Sequence, residues 1–209
     1  MQQSGKLQDS VPDKATHLRL AEKRKAGYDT KQSRANKEKG LLIVNTGSGK
    51  GKSTAAFGMV LRAVGHGMKV GVVQFIKGAM ESAEREVLAS FANVDFKAIG
   101  DGFTWLTQNR DQDVATAERA WAEAKRMMAD SSYDLVILDE LNVILKYRYL
   151  PLDAVLDTLR MRRAMLHVVV TGRHAPAEVI EAADLVSEIR SIKHPYKEQG
   201  VKAQRGIEF

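Results

Sequence analysis

From residue 41 onward the chain alternates between short apolar runs and longer stretches of helical spacing. Runs rich in Val, Ile and Leu fall at 41–45, 69–75, 94–99, 135–138, 167–171 and 185–189. Helical stretches fill the gaps at 52–64, 81–91, 112–129, 152–163 and 176–182. A strand that is apolar along its whole length, rather than at alternate positions, is covered on both faces, which is the habit of parallel sheets. Parallel strands must be joined by crossovers, and these are right-handed. The pattern therefore predicts a single doubly wound α/β domain over residues 40–209, with a mostly parallel sheet of about six strands. Such sheets bind ligands beyond the carboxyl ends of their strands.

The first forty residues follow a different rule. Residues 1–12 are polar and contain Gly5 and Pro12, so they are expected to be disordered. Residues 13–39 favour helix, but their apolar positions are few: Leu18, Leu20, Ala21, Ala26, Tyr28 and Ala35. A helix with so little to bury is expected to lean on the body of the protein or on another subunit. Gly40 ends it.

Charge sharpens this division. The net charge is +6, yet residues 1–40 carry ten Lys and Arg against five Asp and Glu, and the rest of the chain is nearly balanced. The basic character belongs to the arm. Its mixed signs and the lack of an interleaved aromatic platform make it a solvated helical arm rather than a nucleic-acid tail. Cysteine is absent, which excludes disulfides, thiolate metal sites and thiol nucleophiles. No apolar run approaches the roughly 18 residues of a membrane span, and the start of the chain has no signal-peptide core. A cytoplasmic location, with neither membrane nor nucleic acid as partner, is the expectation.

The chemistry is concentrated after the first strand. Thr46, Gly47, Ser48, Gly49, Lys50, Gly51, Lys52, Ser53 and Thr54 read as a glycine-rich turn running into a helix. Gly47, Gly49 and Gly51 let backbone N–H groups converge on phosphate oxygens. The helix start adds its free amides and dipole. Lys52 supplies a mobile cation, and the Ser53 hydroxyl is placed to ligate Mg²⁺. The common phosphate-loop pattern has glycine where this chain has Thr46, and Lys50 is an additional cation. The strand at 135–138 runs into Asp139 and Glu140, the carboxylate pair that holds Mg²⁺ in such enzymes directly or through water. Arg173, after Gly172 at another strand end, is a phosphate partner by the geometry of its guanidinium. Arg62, farther along the helix after the loop, reaches either the nucleotide or a neighbour, or is a surface arginine. Phe103 and Trp105 follow a third strand, where they either pack the loop or meet a large apolar ligand. No histidine spacing suits a metal.

These blocks together resemble one family, the P-loop type ATP:corrinoid adenosyltransferases of vitamin B12 synthesis and salvage. The resemblance spans about residues 38–209. It is carried by residues 45–58, 62–67, 73–78, 102–105, 138–141, 171–173 and 201–209 in order, and it accounts for Thr46 and Lys50. The family often has Asn or Lys at Ser48, and Thr at Ser53. The resemblance implies attack by cobalt(I) of a reduced corrinoid on the ribose 5′ carbon of ATP, with inorganic triphosphate leaving. It implies that Phe103 and Trp105 bind the corrinoid and expel its lower axial ligand. Arg62, Glu140 and Arg173 then contact ATP or its metal (Mg²⁺, or Mn²⁺ in its place), with Asp139 a weaker metal candidate or a support behind it. A flavoprotein reductant and a homodimer are implied as well. The competing expectations are a P-loop NTPase or kinase on the same scaffold, and a nucleotide-gated regulator that binds nucleic acid through its arm.

Overall fold

The computed structural model describes residues 13–76, 83–100 and 109–207, and the chain divides into two units at residue 38. In the first unit, helix α1 (Lys14–Gln32) buries none of its residues. Asp13 starts it, its carboxylate accepting from the amides of Ala15 and Thr16 at 3.0 and 2.9 Å, a side-chain cap for otherwise unpaired donors. Residues 1–12 lie outside the described residues.

The second unit contains six parallel strands: β1 (Leu42–Thr46), β2 (Val70–Gln74), β3 (Val94–Ala98), β4 (Leu135–Asp139), β5 (His167–Thr171) and β6 (Leu185–Glu188). They lie in the order β3-β2-β4-β5-β1-β6. The unit's helices among the described residues are α2 (Lys52–Gly65), α3 (Ala83–Ala89), α4 (Arg110–Ala129), α5 (Leu141–Lys146), α6 (Leu152–Arg160), α7 (Ala177–Ala182) and α8 (Pro195–Gln199). Successive residues of a strand point to opposite faces, and the two cores divide accordingly. Ile43, Val72, Ile137 and Val169 pack with Ala56, Phe57 and Val60 of α2 and with Leu88 of α3. Val44, Val73, Leu138 and Val170 pack on the other face with α4 through α7. The sheet is doubly wound, as the apolar runs predicted.

The differences from the sequence-based elements have local causes. Helix α4 begins at Arg110 rather than 112 because the Asn109 side chain caps it, accepting from the Gln112 amide at 3.2 Å. Helix α6 stops at Arg160 rather than 163 because the next two arginines bind main chain. Arg162 donates to the carbonyls of Leu159 and Gly40, and Arg163 to those of Met128, Asp130 and Tyr133. Helices α5 and α8 have six and five residues, too few to show a period. Strand β6 is exposed along its length, with Leu185 and Val186 open to solvent.

Asp184 joins the entry of β1 to that of β6. One carboxylate oxygen is bound by Lys39; the other accepts from the Leu42 amide at 2.9 Å and from Arg162 at 3.2 Å. The bond to Lys39, followed by that from Leu42, holds the Asp184 carboxyl below the usual carboxylate range. A depressed carboxyl stabilises the fold above its ordinary pKa, and that contribution is lost as pH falls toward the depressed value. Asp184→Asn is therefore expected to cost about 1–2 kcal/mol at pH 7. In urea unfolding, the difference from the parent protein should shrink as pH drops below about 4.

Candidate active site

One row of the sheet register crosses all six strands near their carboxyl ends. Ser187 pairs with Asn45, Asn45 with Thr171, Asp139 with Gln74, and Gln74 with Ala98. A hydrogen bond of 2.7 Å from the Thr171 hydroxyl to Asp139 Oδ1 closes the row between β5 and β4. Asn45, Gln74, Asp139 and Thr171 are polar yet almost wholly buried, so they form the polar floor of the edge. Buried polar groups must be paired, and these are. Gln74 Nε2 donates to the second Asp139 oxygen at 2.9 Å, and Asn45 Nδ2 donates to the Lys52 carbonyl at 3.4 Å.

The phosphate loop rises from this floor between β1 and α2. Gly47 and Gly51 have left-handed φ values of 99° and 106°, the conformation that L side chains resist. Behind the loop stands the main chain that follows β6. A Cβ on Gly47 would lie 2.4 Å from the Ile189 carbonyl oxygen, and one on Gly49 would lie 2.8 Å from the Arg190 backbone. Two hydrogen bonds fasten the loop to that wall: Gly49 N–H to the Ile189 carbonyl at 2.7 Å, and Ile189 N–H to the Thr46 carbonyl at 2.8 Å. Gly51 precedes α2 and offers no side chain to cap it, so the helix presents main-chain amides and the positive end of its dipole at the loop. Lys52 is 6% exposed, and its ammonium donates to the Gly49 carbonyl at 2.6 Å inside the loop. Ser53 is half-buried at the helix start, while Ser48, Lys50 and Thr54 are exposed.

Thr46, the departure from the common pattern, has a structural role. Its buried hydroxyl accepts from the Ala175 amide at 3.2 Å and ties the loop after β5, which carries Arg173, to the end of β1. Arg173 is exposed on that loop, between Gly172 at φ 128° and His174 at φ 58°. Glu140 is half-buried and adopts φ 66° directly after β4. Its carboxylate lies against Gly172, where an added Cβ would stand 3.2 Å from Oε2. The structure thus gathers Thr46 through Thr54, Glu140 and Arg173 at one edge. Arg62 is exposed on α2, ten residues beyond Lys52 and about 15 Å along the helix axis at 1.5 Å per residue. Phe103 and Trp105 lie outside the described residues.

Asp139 is fully buried with both oxygens hydrogen-bonded, a support beneath Glu140. Among the described residues no group of three or more His, Asp or Glu side chains could hold a metal ion. The hard oxygen donors Ser53 and Glu140 suit instead a Mg²⁺ that arrives with phosphate and water ligands of its own. The sequence-based reading missed Gln74 and the wall at Ile189 and Arg190. It also missed Thr171 as a partner of Asp139. A polar residue inside an otherwise apolar strand was the available signal for Gln74. The wall acts through main chain, which leaves no mark in residue type.

The chain is similar to known proteins over most of its length. The family model described as ATP:corrinoid adenosyltransferase BtuR/CobO/CobP matches residues 38–209. The corrinoid adenosyltransferase of Pseudomonas aeruginosa is 50% identical over 204 residues, covering 97% of this chain and 100% of that protein. That of Escherichia coli strain K12 is 50% identical over 185 residues, covering 88% and 93%. Corrinoid adenosyltransferase CobA of Salmonella typhimurium is 47% identical over 188 residues, covering 90% and 95%. A looser likeness, to the flagellar accessory protein FlaH of Methanocaldococcus jannaschii, has a TM-score of 0.46 and 12% identity over 72% of this chain and 71% of that one. With a phosphate loop backed by main chain, a carboxylate at the next-but-one strand end and relatives matched over nearly their whole length, the chain belongs to the ATP:corrinoid adenosyltransferase family.

Proposed function

We propose that this protein transfers the 5′-deoxyadenosyl group of ATP to the cobalt of a reduced corrinoid and releases inorganic triphosphate. The observation that carries the reading is the fastened loop from Thr46 to Thr54, facing Glu140 across β5, in a chain matched by the family from residue 38 onward. The corrinoid is the nucleophile. The cobalt(I) electron pair forms a bond to C5′, the C5′–O bond breaks, and its electrons leave with the triphosphate.

The chain's own residues serve the leaving group. Loop amides, Lys50 and Lys52 gather positive potential where the triphosphate develops charge, in a place prepared before the reaction. Lys52 must exchange the Gly49 carbonyl for a phosphate oxygen, a short movement for a side chain already inside the loop. Ser53 and Glu140 would hold Mg²⁺, which would offset part of the negative charge that develops on the leaving triphosphate. Arg173, anchored through Ala175 to Thr46, closes the anionic site from the β5 side. Phe103 and Trp105 we assign to the corrinoid, where they favour loss of the lower axial ligand before reduction.

A flavoprotein is the proposed electron donor, the cytoplasm the proposed location and a homodimer the proposed assembly. Strand β6, whose outer edge pairs with no strand among the described residues and whose Leu185 is 50% and Val186 38% exposed, supports association, since an unpaired strand edge invites a partner. Among the described residues no helix is long and apolar enough to cross a membrane.

Incubation with ATP, Mg²⁺ and chemically reduced cobalamin or cobinamide should yield a light-sensitive alkyl-cobalt spectrum and inorganic triphosphate. Release of phosphate or diphosphate without that spectrum would overturn the reading. Lys52→Ala is expected to lower turnover about 100-fold, the scale of losing one preorganised charge contact. Gly47→Ala should abolish ATP binding in a titration, because its Cβ cannot coexist with the Ile189 carbonyl. Phe103→Ala and Trp105→Ala should slow turnover from cobalt(II) corrinoid more than from prereduced cobalt(I). Equal losses in the two assays refute the axial-ligand role.

A further inference from the structure

We propose that Thr171 is a positioning residue that sets the backbone of Glu140 and so aims its carboxylate at the metal–triphosphate site. The proposal rests on the reading of Glu140 as a metal ligand. Glu140 sits at φ 66° and ψ 17°, a left-handed conformation that a residue with a Cβ adopts only under strain. Something must hold it.

The holding contact is to the neighbouring strand. Thr171 is completely buried, and its single hydroxyl makes two bonds of opposite sense. It donates to Asp139 Oδ1 at 2.7 Å and accepts from the Glu140 amide at 2.9 Å. The Asp139 carboxylate fixes the direction of the hydroxyl proton, which leaves a lone pair aimed at the Glu140 N–H. Gln74 occupies the other Asp139 oxygen at 2.9 Å and keeps that carboxylate from turning. The next residue completes the seat. Gly172, at φ 128°, leaves open the volume beside Glu140 Oε2, and its carbonyl accepts from Asn142 Nδ2 at 3.2 Å on the first turn of α5. The hydroxyl grips the main chain of Glu140, and the missing side chain makes room for its carboxylate.

Such supports behind a metal ligand typically change metal affinity by about 10–100-fold when removed. The test compares ATP binding in excess Mg²⁺ with ATP binding in EDTA, by calorimetry, for three variants. Thr171→Val keeps the shape and deletes the hydroxyl. It should weaken binding in Mg²⁺ about tenfold and leave binding in EDTA unchanged, and Thr171→Ser should restore the parent value. Glu140→Gln should show the same metal-dependent loss. If Glu140→Gln loses affinity only in Mg²⁺ while Thr171→Val binds as the parent does, the positioning role is overturned and the reading of Glu140 stands. Should Glu140→Gln show no metal-dependent loss, the ligand reading falls and the proposal with it. A Thr171→Val protein equally weakened with and without Mg²⁺ marks a purely structural threonine and also overturns the proposal. Should the valine variant fail to fold, Thr171→Ala, which leaves room for a water beside Asp139, carries the same comparison.

Discussion

A carboxyl group with no access to water lies at the centre of the sheet's carboxyl edge, and its neighbours are arranged around the need to satisfy it. Asp139 ends the strand between β2 and β5, and each of those strands supplies one donor, Gln74 and Thr171. A polar side chain is tolerated in such a place only when hydrogen bonds replace its lost hydration. Meeting that demand joins β2, β4 and β5 at their carboxyl ends and fixes where the chain leaves β4. The left-handed turn at Glu140, the bond it donates to Thr171 and the start of α5 follow from that exit. The phosphate loop, two strands away on β1, meets the same floor through Asn45, which binds the Lys52 carbonyl.

The two halves of the site are thereby tied through β5 rather than directly. Thr171 and Gly172 meet Glu140 on one side, and Ala175 meets Thr46 on the other. The exposed Arg173 lies between these anchors, so the segment that bears it is pinned at both ends. An enzyme that must keep a triphosphate fixed while its ribose carbon is attacked gains from such bracing, because misplacement of reacting groups is costly in rate.

Most of the fold was legible because buried parallel strands write themselves as nearly unbroken apolar runs, as β1, β2, β4 and β5 do, while β3 and the exposed β6 stood out as shorter apolar segments between helical stretches. The loop was legible for a different reason: its glycines and Gly-Lys-Ser segment are residue types with few other uses. What escaped was short or relational. Helix α5 has six residues and its start depends on Glu140 adopting a positive φ, which no local propensity announces. Helix α8 carried a readable signal in Pro195 at its start and Gly200 after its end. Thr171 could be seen as a strand end, but its partner across the sheet appears only once β5 is known to lie beside β4. Thr46 was legible as a departure from the common loop pattern, but not its bond, because its hydroxyl serves a segment more than a hundred residues away.

The wall behind the phosphate loop also decides which positions can vary. Gly47 and Gly49 abut the backbone of Ile189 and Arg190, and the hydrogen bonds between the two segments are main chain to main chain. Any residue but proline supplies the backbone N–H and carbonyl used at 189, so the identities at 189 and 190 can drift while the wall stays in place. The glycines have no such freedom, because every alternative adds the atom that the wall excludes. Two surfaces in contact thus live under unequal constraint, one held to a single residue type and the other only to a path of the chain.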